Sequence, residues 1–171
     1  LVTGMQRSGN TLLDRLLDRH PVISLLSQPL PLLLIEAKRA FFRALGQSPP
    51  HYALDPLFRE TRYALADLDR FLREFHIDRR WLENVFAETR GFSGQYTRFS
   101  PSQVTSALAT FRSGPLAETL AQLYRLLSSK TEAACYGGKE TLSEEFLPHL
   151  LDRGVRALLI LRDPRAVLAS L

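Results

Sequence analysis

The octapeptide Gly4-Met5-Gln6-Arg7-Ser8-Gly9-Asn10-Thr11 constrains the fold more than any other stretch of this chain. It lies between an apolar segment, Leu1 to Thr3, and a leucine-rich one. That arrangement describes a strand end, a tight turn and a helix N-terminus, the unit from which parallel α/β sheets are built. The spacing also matches the phosphate-binding pattern G-x-x-x-x-G-K-[S/T] at both glycines and at the final hydroxyl. The lysine is missing. Asn10 takes its place, and the loop's cation is Arg7, three residues earlier.

The remaining chain is consistent with that beginning. Gly9 to Arg19 read as a helix with Leu12, Leu13, Leu16 and Leu17 on one face, ended by His20-Pro21. Pro29 to Leu45 read as a second helix, with Pro31 in its first turn and Gly46 at its end. After a proline-rich loop, Asp55-Pro56 starts a helix that carries Leu65, Leu68, Phe71, Leu72 and Phe75. Further helices are expected over Arg79 to Arg90, from the capping box Ser100-Pro101-Ser102-Gln103 to about Arg112, and from Pro115 through Leu127. Ala133 to Gly138 form a short strand, and Thr141 and Glu144 suit the cap of a helix reaching Asp152. The unbroken run in "RALLILRD" predicts a parallel strand covered on both faces. Asp163-Pro164 opens the last helix.

The predicted fold class is therefore α/β: a P-loop-like parallel sheet flanked by helices, with a large helical insert over about 49–130. The chain reads as a single domain, incomplete at both ends. Ligands of such sheets bind at the carboxyl ends of the strands. The loop after Thr3, the "GGKET" after the second predicted strand and the "RDPR" after the third all lie there.

A glycine turn that feeds a helix aims backbone N–H groups at an anion, and the helix dipole reinforces them. Of 22 basic residues all but three are arginine, whose planar fork suits phosphate and sulfate oxygens. Basic and acidic residues are interspersed, so no nucleic-acid footprint is visible. One cysteine, Cys135, excludes an internal disulfide and is read as a small buried filler. No apolar run approaches the length of a membrane span, and no secretory signal is visible. A cytoplasmic location and no membrane partner are the resulting expectations.

"VTGMQRSGNTLLDRLLDRHP" followed by "LRDPRAVLAS" resembles the two nucleotide signatures of the sulfotransferases that use 3'-phosphoadenosine-5'-phosphosulfate (PAPS). The R-S-G-x-T form is closer to tyrosylprotein and many bacterial sulfotransferases than to the cytosolic hormone enzymes. The resemblance covers about 28 residues at the start and 20 at the end. It implies metal-free, in-line transfer of a sulfuryl group to an acceptor hydroxyl or amine, with PAP as the product nucleotide. Arg7, Ser8, Gly9, Asn10, Thr11 and Leu12 would grip the 5'-phosphosulfate. Arg162 and Ser170, eight apart, would hold the 3'-phosphate. Lys139 resembles a family lysine near the nucleotide, and also suits a solvated loop.

The resemblance breaks at the general base. Tyrosylprotein sulfotransferases carry a Glu after the "HP"; the ungapped count puts Gln28 there. Gln28 is then a contact to the acceptor that takes no proton. His51, Glu36 and Glu60 are the base candidates, and each also suits a surface or capping position. The acceptor is a hydroxyl-bearing small molecule, glycan or peptide. Two rivals stay open: a P-loop nucleotide kinase requiring ATP and magnesium, and a non-catalytic relative that keeps the fold.

Overall fold

The computed structural model describes residues 1–48 and 63–169 of the 171-residue chain. The predicted helix start at Asp55-Pro56, the base candidates His51 and Glu60, the aromatics Tyr52 and Phe58, and Ser170 lie outside the described residues.

The chain is α/β. In order come β1 (Val2–Gly4), α1 (Asn10–Asp18), β2 (Ile23–Ser27), α2 (Pro31–Ala44) and α3 (Leu65–Glu74). They are followed by β3 (His76–Ile77), α4 (Arg79–Thr89), α5 (Pro101–Thr110), β4 (Gly114–Pro115) and α6 (Leu116–Leu126). β5 (Cys135–Lys139), a single 3-10 turn (Glu144–Phe146), α7 (Leu147–Asp152), β6 (Leu158–Ile160) and α8 (Pro164–Leu168) complete the order. β1, β2, β5 and β6 make one parallel sheet in the order β2-β5-β1-β6, and β3 pairs with β4 in a small antiparallel ribbon.

That strand order positions the site. β1 is followed in sequence by β2, yet β5 lies between them, pairing Lys139 with Val2 on one side and Ser27 on the other. The loop after β1 and the turn after β2 therefore flank the carboxyl end of β5. β2 is absent from the sequence reading, which assigns no element to residues 22–28. Its segment, "VISLLS", is short and follows a helix that ends in proline. Only its pairing with β5 declares it a strand.

The main core surrounds α2. Leu32, Leu33, Leu34, Ile35, Ala37, Phe41 and Phe42 are all buried, so this helix is covered nearly all round. Pro31 stands in its first turn, where a missing N–H does no harm. Leu68 and Leu72 of α3, Leu82 and Phe86 of α4, and Leu116, Leu120 and Leu123 of α6 share this core. Burying one such side chain contributes roughly 1.5–3 kcal/mol. Lys38 is also buried, held by Tyr63 and Glu145, and burial holds its pKa below the ordinary lysine value. Two sequence-read caps are present: Ser100 accepts from Gln103 N–H, and Asp163 from Arg165 N–H. Asp78, which accepts from Trp81 N–H, is a cap that the sequence reading did not name.

Three expectations need correction. The inner face of α1 is not its leucine stripe. Leu12 and Leu16 are 66% and 55% exposed, while Asn10 and Asp14 are buried. The first turns of α1 cover the polar end of the sheet, so polar side chains at helical spacing face inward there. β6 is not covered on both faces: Leu158 and Leu159 are 49% and 45% exposed. It is an edge of the described sheet, paired only with β1. Cys135 is exposed rather than buried, because it opens β5 at the strand's amino end. No helix among the described residues is long and apolar enough to cross a membrane.

Candidate functional site

A cavity of about 720 Å³ opens at the carboxyl ends of the parallel strands. Its lining includes Arg7, Gly9, Asn10, Thr11 and Leu12 from the first loop and helix, Gln28 from the turn after β2, and Lys139, Glu140 and Thr141 from the end of β5. Arg162, from the residues after β6, completes it. Residues far apart in sequence but joined by one sheet edge thus meet where α/β sheets bind ligands.

The first loop is fastened from within. Asn10 Nδ2 donates to the carbonyls of Gly4 and Met5, both at 3.0 Å. Ser8 Oγ donates to Met5 O at 2.5 Å. These side chains close the loop on itself, so in this geometry their donors are not aimed at a ligand. Gly4 has no room for a side chain: a Cβ there would stand 2.6 Å from Ile160 O, and φ is +149°. Gly9, at φ +103°, is the N-cap of α1, and no side chain caps that helix. Leu12 N–H turns back to Gly9 O at 3.0 Å, and the N–H groups ahead of it, which no side chain caps, are the anion donors.

Arg7 and Arg162 are exposed, and Arg162 Nη1 donates to Arg7 O at 2.8 Å. This bond draws the "RDPR" segment onto the glycine loop across 155 residues of sequence. Lys139 lies beneath, 1% exposed. Its Nζ is 3.8 Å from Asp14 Oδ2, 3.4 Å from Gln28 Oε1 and 4.7 Å from the centroid of the Tyr96 ring. Desolvation lowers the Lys139 pKa, while Asp14 and Glu140 oppose that shift. Asp14 itself accepts from Ser27 Oγ at 2.6 Å.

Gln28 is half-buried, and its side-chain oxygen also accepts from Thr141 Oγ1 at 3.2 Å. An ammonium group only donates, so the amide oxygen must be the atom that faces Lys139. Gln28 adopts φ +44°, Arg7 φ +63° and Leu142 φ +61°. All three line this cavity. Such conformations are strained by about 1–3 kcal/mol each and concentrate at functional sites.

Glu140 is the one carboxyl side chain in the described lining. Burial pushes its pKa up to about 8, against the Leu30 N–H bond and the Lys139 charge, which lower it. At neutral pH it is mostly uncharged. The exposed Arg7 and Arg162 therefore meet no ionised carboxylate among the described lining residues, while the Lys139 charge is met by Asp14; the two arginines favour an anion.

Sequence reasoning missed Asp14 and Glu140, gave Thr141 only a capping role, and named Tyr96 and Phe92 among insert aromatics without saying which would line the pocket. Asp14 could have been found four residues after Asn10 on the same helical face. Glu36 is not brought to the cavity; on α2 it pairs with Arg39 and Arg43. Among the described residues no group of three or more His, Cys, Asp or Glu side chains is placed to hold a metal ion. Comparison of the chain with family models, curated proteins and solved structures found no match.

Proposed function

We propose that this cavity binds PAPS and that the protein transfers its sulfuryl group to an acceptor hydroxyl or amine. The observation that carries the reading is the bond from Arg162 to the Arg7 carbonyl. It joins the two nucleotide-like motifs at one cavity, which Lys139 at the end of β5 also lines. The glycine loop acts as a P-loop-type cradle whose lysine has been replaced by Asn10, a residue that braces the loop instead. PAPS would supply the sulfuryl group: the acceptor oxygen or nitrogen would bond to sulfur as the bond from sulfur to the 5'-phosphate oxygen breaks, PAP would leave with that electron pair, and the acceptor's proton would pass to solvent water.

The chain's residues divide the work. Uncapped N–H groups at the start of α1 and the Thr11 hydroxyl hold the 5'-phosphate. Arg7 meets the charge that develops on the leaving oxygen, the role oriented cations play in phosphoryl transfer. Arg162 selects for a 3'-phosphate. Gln28 presents its amide N–H₂ to the acceptor and takes no proton. The helices between β2 and β5 form an insert whose Phe92 and Tyr96, with Leu34 and Ile35 of α2, wall the acceptor side.

The test is a thermal shift with PAP, ADP and ATP-magnesium. A ligand at 100 times its Kd stabilises by about 2.7 kcal/mol. Stabilisation by PAP above ADP supports the reading. Stabilisation by ATP-magnesium with none by PAP transfers the site to a kinase.

A further inference from the structure

Gln28 holds a left-handed backbone conformation, φ +44°, that persists only where its surroundings enforce it. The enforcing bonds come from two directions. Residues 95–97 supply one set: Tyr96 N–H donates to Gln28 O at 3.4 Å, Thr97 N–H to Ser27 O at 2.8 Å, and Gln95 Nε2 to Pro29 O at 3.0 Å. The end of β5 supplies the other. Gln28 N–H donates to Lys139 O at 2.7 Å, and Leu30 N–H donates to Glu140 Oε1 at 2.9 Å. Lys139 and Glu140 are adjacent, so their side chains leave the strand end on opposite sides. One reaches the Gln28 side chain, and the other reaches the backbone two residues further on.

Glu140 is 1% exposed, and its second oxygen, Oε2, is buried without a partner. A buried carboxyl group with half its bonding capacity unused is a poor choice for simple core filling. Its single bond holds the N-cap of α2, where the Gln28 turn becomes helix.

We propose that Glu140 is a positioning residue: by accepting the Leu30 N–H it holds the Gln28 turn in register with Lys139 and Thr141, and so sets where the acceptor is presented. This rests on the reading of Gln28 as the acceptor contact. Glu140 does not touch the acceptor; it acts through the backbone of residues 28–30.

The experiment compares the wild-type chain with Glu140→Ala and Glu140→Gln. Three quantities are measured: affinity for PAP, sulfation of 4-nitrophenol by PAPS, and hydrogen exchange of the Leu30 amide. Glu140→Ala removes the acceptor. PAP affinity should change little, kcat/KM for the phenol should fall about tenfold to a hundredfold, as misplacement by about an ångström does, and Leu30 should exchange faster. Glu140→Gln keeps an oxygen for Leu30 and should restore both its protection and most of the turnover. Equal losses in the two variants, or full Leu30 protection in Glu140→Ala, would overturn the proposal. If Glu140→Ala fails to fold, fast Leu30 exchange in folded Glu140→Gln overturns it equally. A wild-type chain that neither binds PAP nor sulfates refutes the proposed function instead. In that case Leu30 exchange still decides whether Glu140 fixes the turn, and an unfixed turn overturns the positioning role on its own.

Discussion

Two cavities of nearly equal size lie at opposite ends of the same strands. The one at the carboxyl ends is about 720 Å³, and the one at the amino ends is about 770 Å³. The first is lined by Arg7, Lys139 and Arg162, and three of its residues sit at strained positive φ. The second lies between Leu1, Ile23, Cys135 and Leu158 at the strand starts and α6 with Leu120 and Tyr124, and Arg153 and Arg156 line it as well. None of the non-glycine positive-φ residues lines it. Volume therefore does not distinguish the two. Arginines line both, so they do not distinguish the two either; carboxyl-end loops, an uncapped helix N-terminus and the strained residues do, because they aim backbone N–H groups at one point.

The largest effect should come from Arg7→Ala. Turnover should drop roughly 100- to 1,000-fold, the loss seen when one transition-state donor is removed, with PAP affinity changing far less. Steady-state kinetics beside PAP titration checks this. Unchanged turnover would remove Arg7 from the chemistry and blunt the contrast between the cavities.

Arg162→Ala should weaken PAP by about tenfold or more, the value of a hydrogen bond to a charged group, and leave AMP almost untouched. Parallel titrations with both nucleotides decide it. Equal weakening would mean that the bond to Arg7 O supports the loop and that Arg162 does not read the 3'-phosphate.

The buried acid gives a smaller, pH-dependent signature. Folding raises the Glu140 pKa from 4.5 to about 8. Between those values the folded chain holds a proton that the unfolded chain has released. Stability should therefore fall as pH rises through this window, by at most about 1.4 kcal/mol per unit, and level off above it. Two titratable groups interact with Glu140: Lys139 on its own strand, whose charge lowers its pKa, and the Tyr124 phenol from α6, itself pushed up by burial and by Glu140. Thermal melts from pH 5 to 9 should slope in the wild type and flatten in Glu140→Gln. A wild-type profile as flat as the variant's would mean that Glu140 ionises normally.

The smallest effect is expected at the other cavity. Cys135→Ser, at an exposed position lining the amino-end space, should leave PAP binding and turnover unchanged. Loss of PAP binding in that variant would break the comparison outright.

Much of this architecture was legible because its signals are local. Pro31, Ser100 and Asp163 announce helix starts through bonds or ring geometry that need only their near neighbours. Gly4 and Gly9 announce a turn because they hold conformations that other residues rarely adopt. Leu12 and Leu16 misled for the opposite reason. Hydrophobic periodicity identifies a helix, but what packs against it decides which face is inside, and at α1 the partner is the polar edge of a sheet.

The α/β class, the glycine turn into α1 and the charges available to a ligand are written in residue type and short-range spacing. That β5 lies between β1 and β2 is a product of the assembled sheet, and the placements in the cavity follow from it. It sets Lys139 beside Gln28, turns Asn10 and Asp14 inward, and hands the Leu30 N–H to Glu140. Strand order depends on pairing between segments more than a hundred residues apart, and no local pattern encodes which strand lies beside which. The raised pKa of Glu140 has the same origin, because burial is a property of the assembled sheet and helices rather than of the carboxyl group.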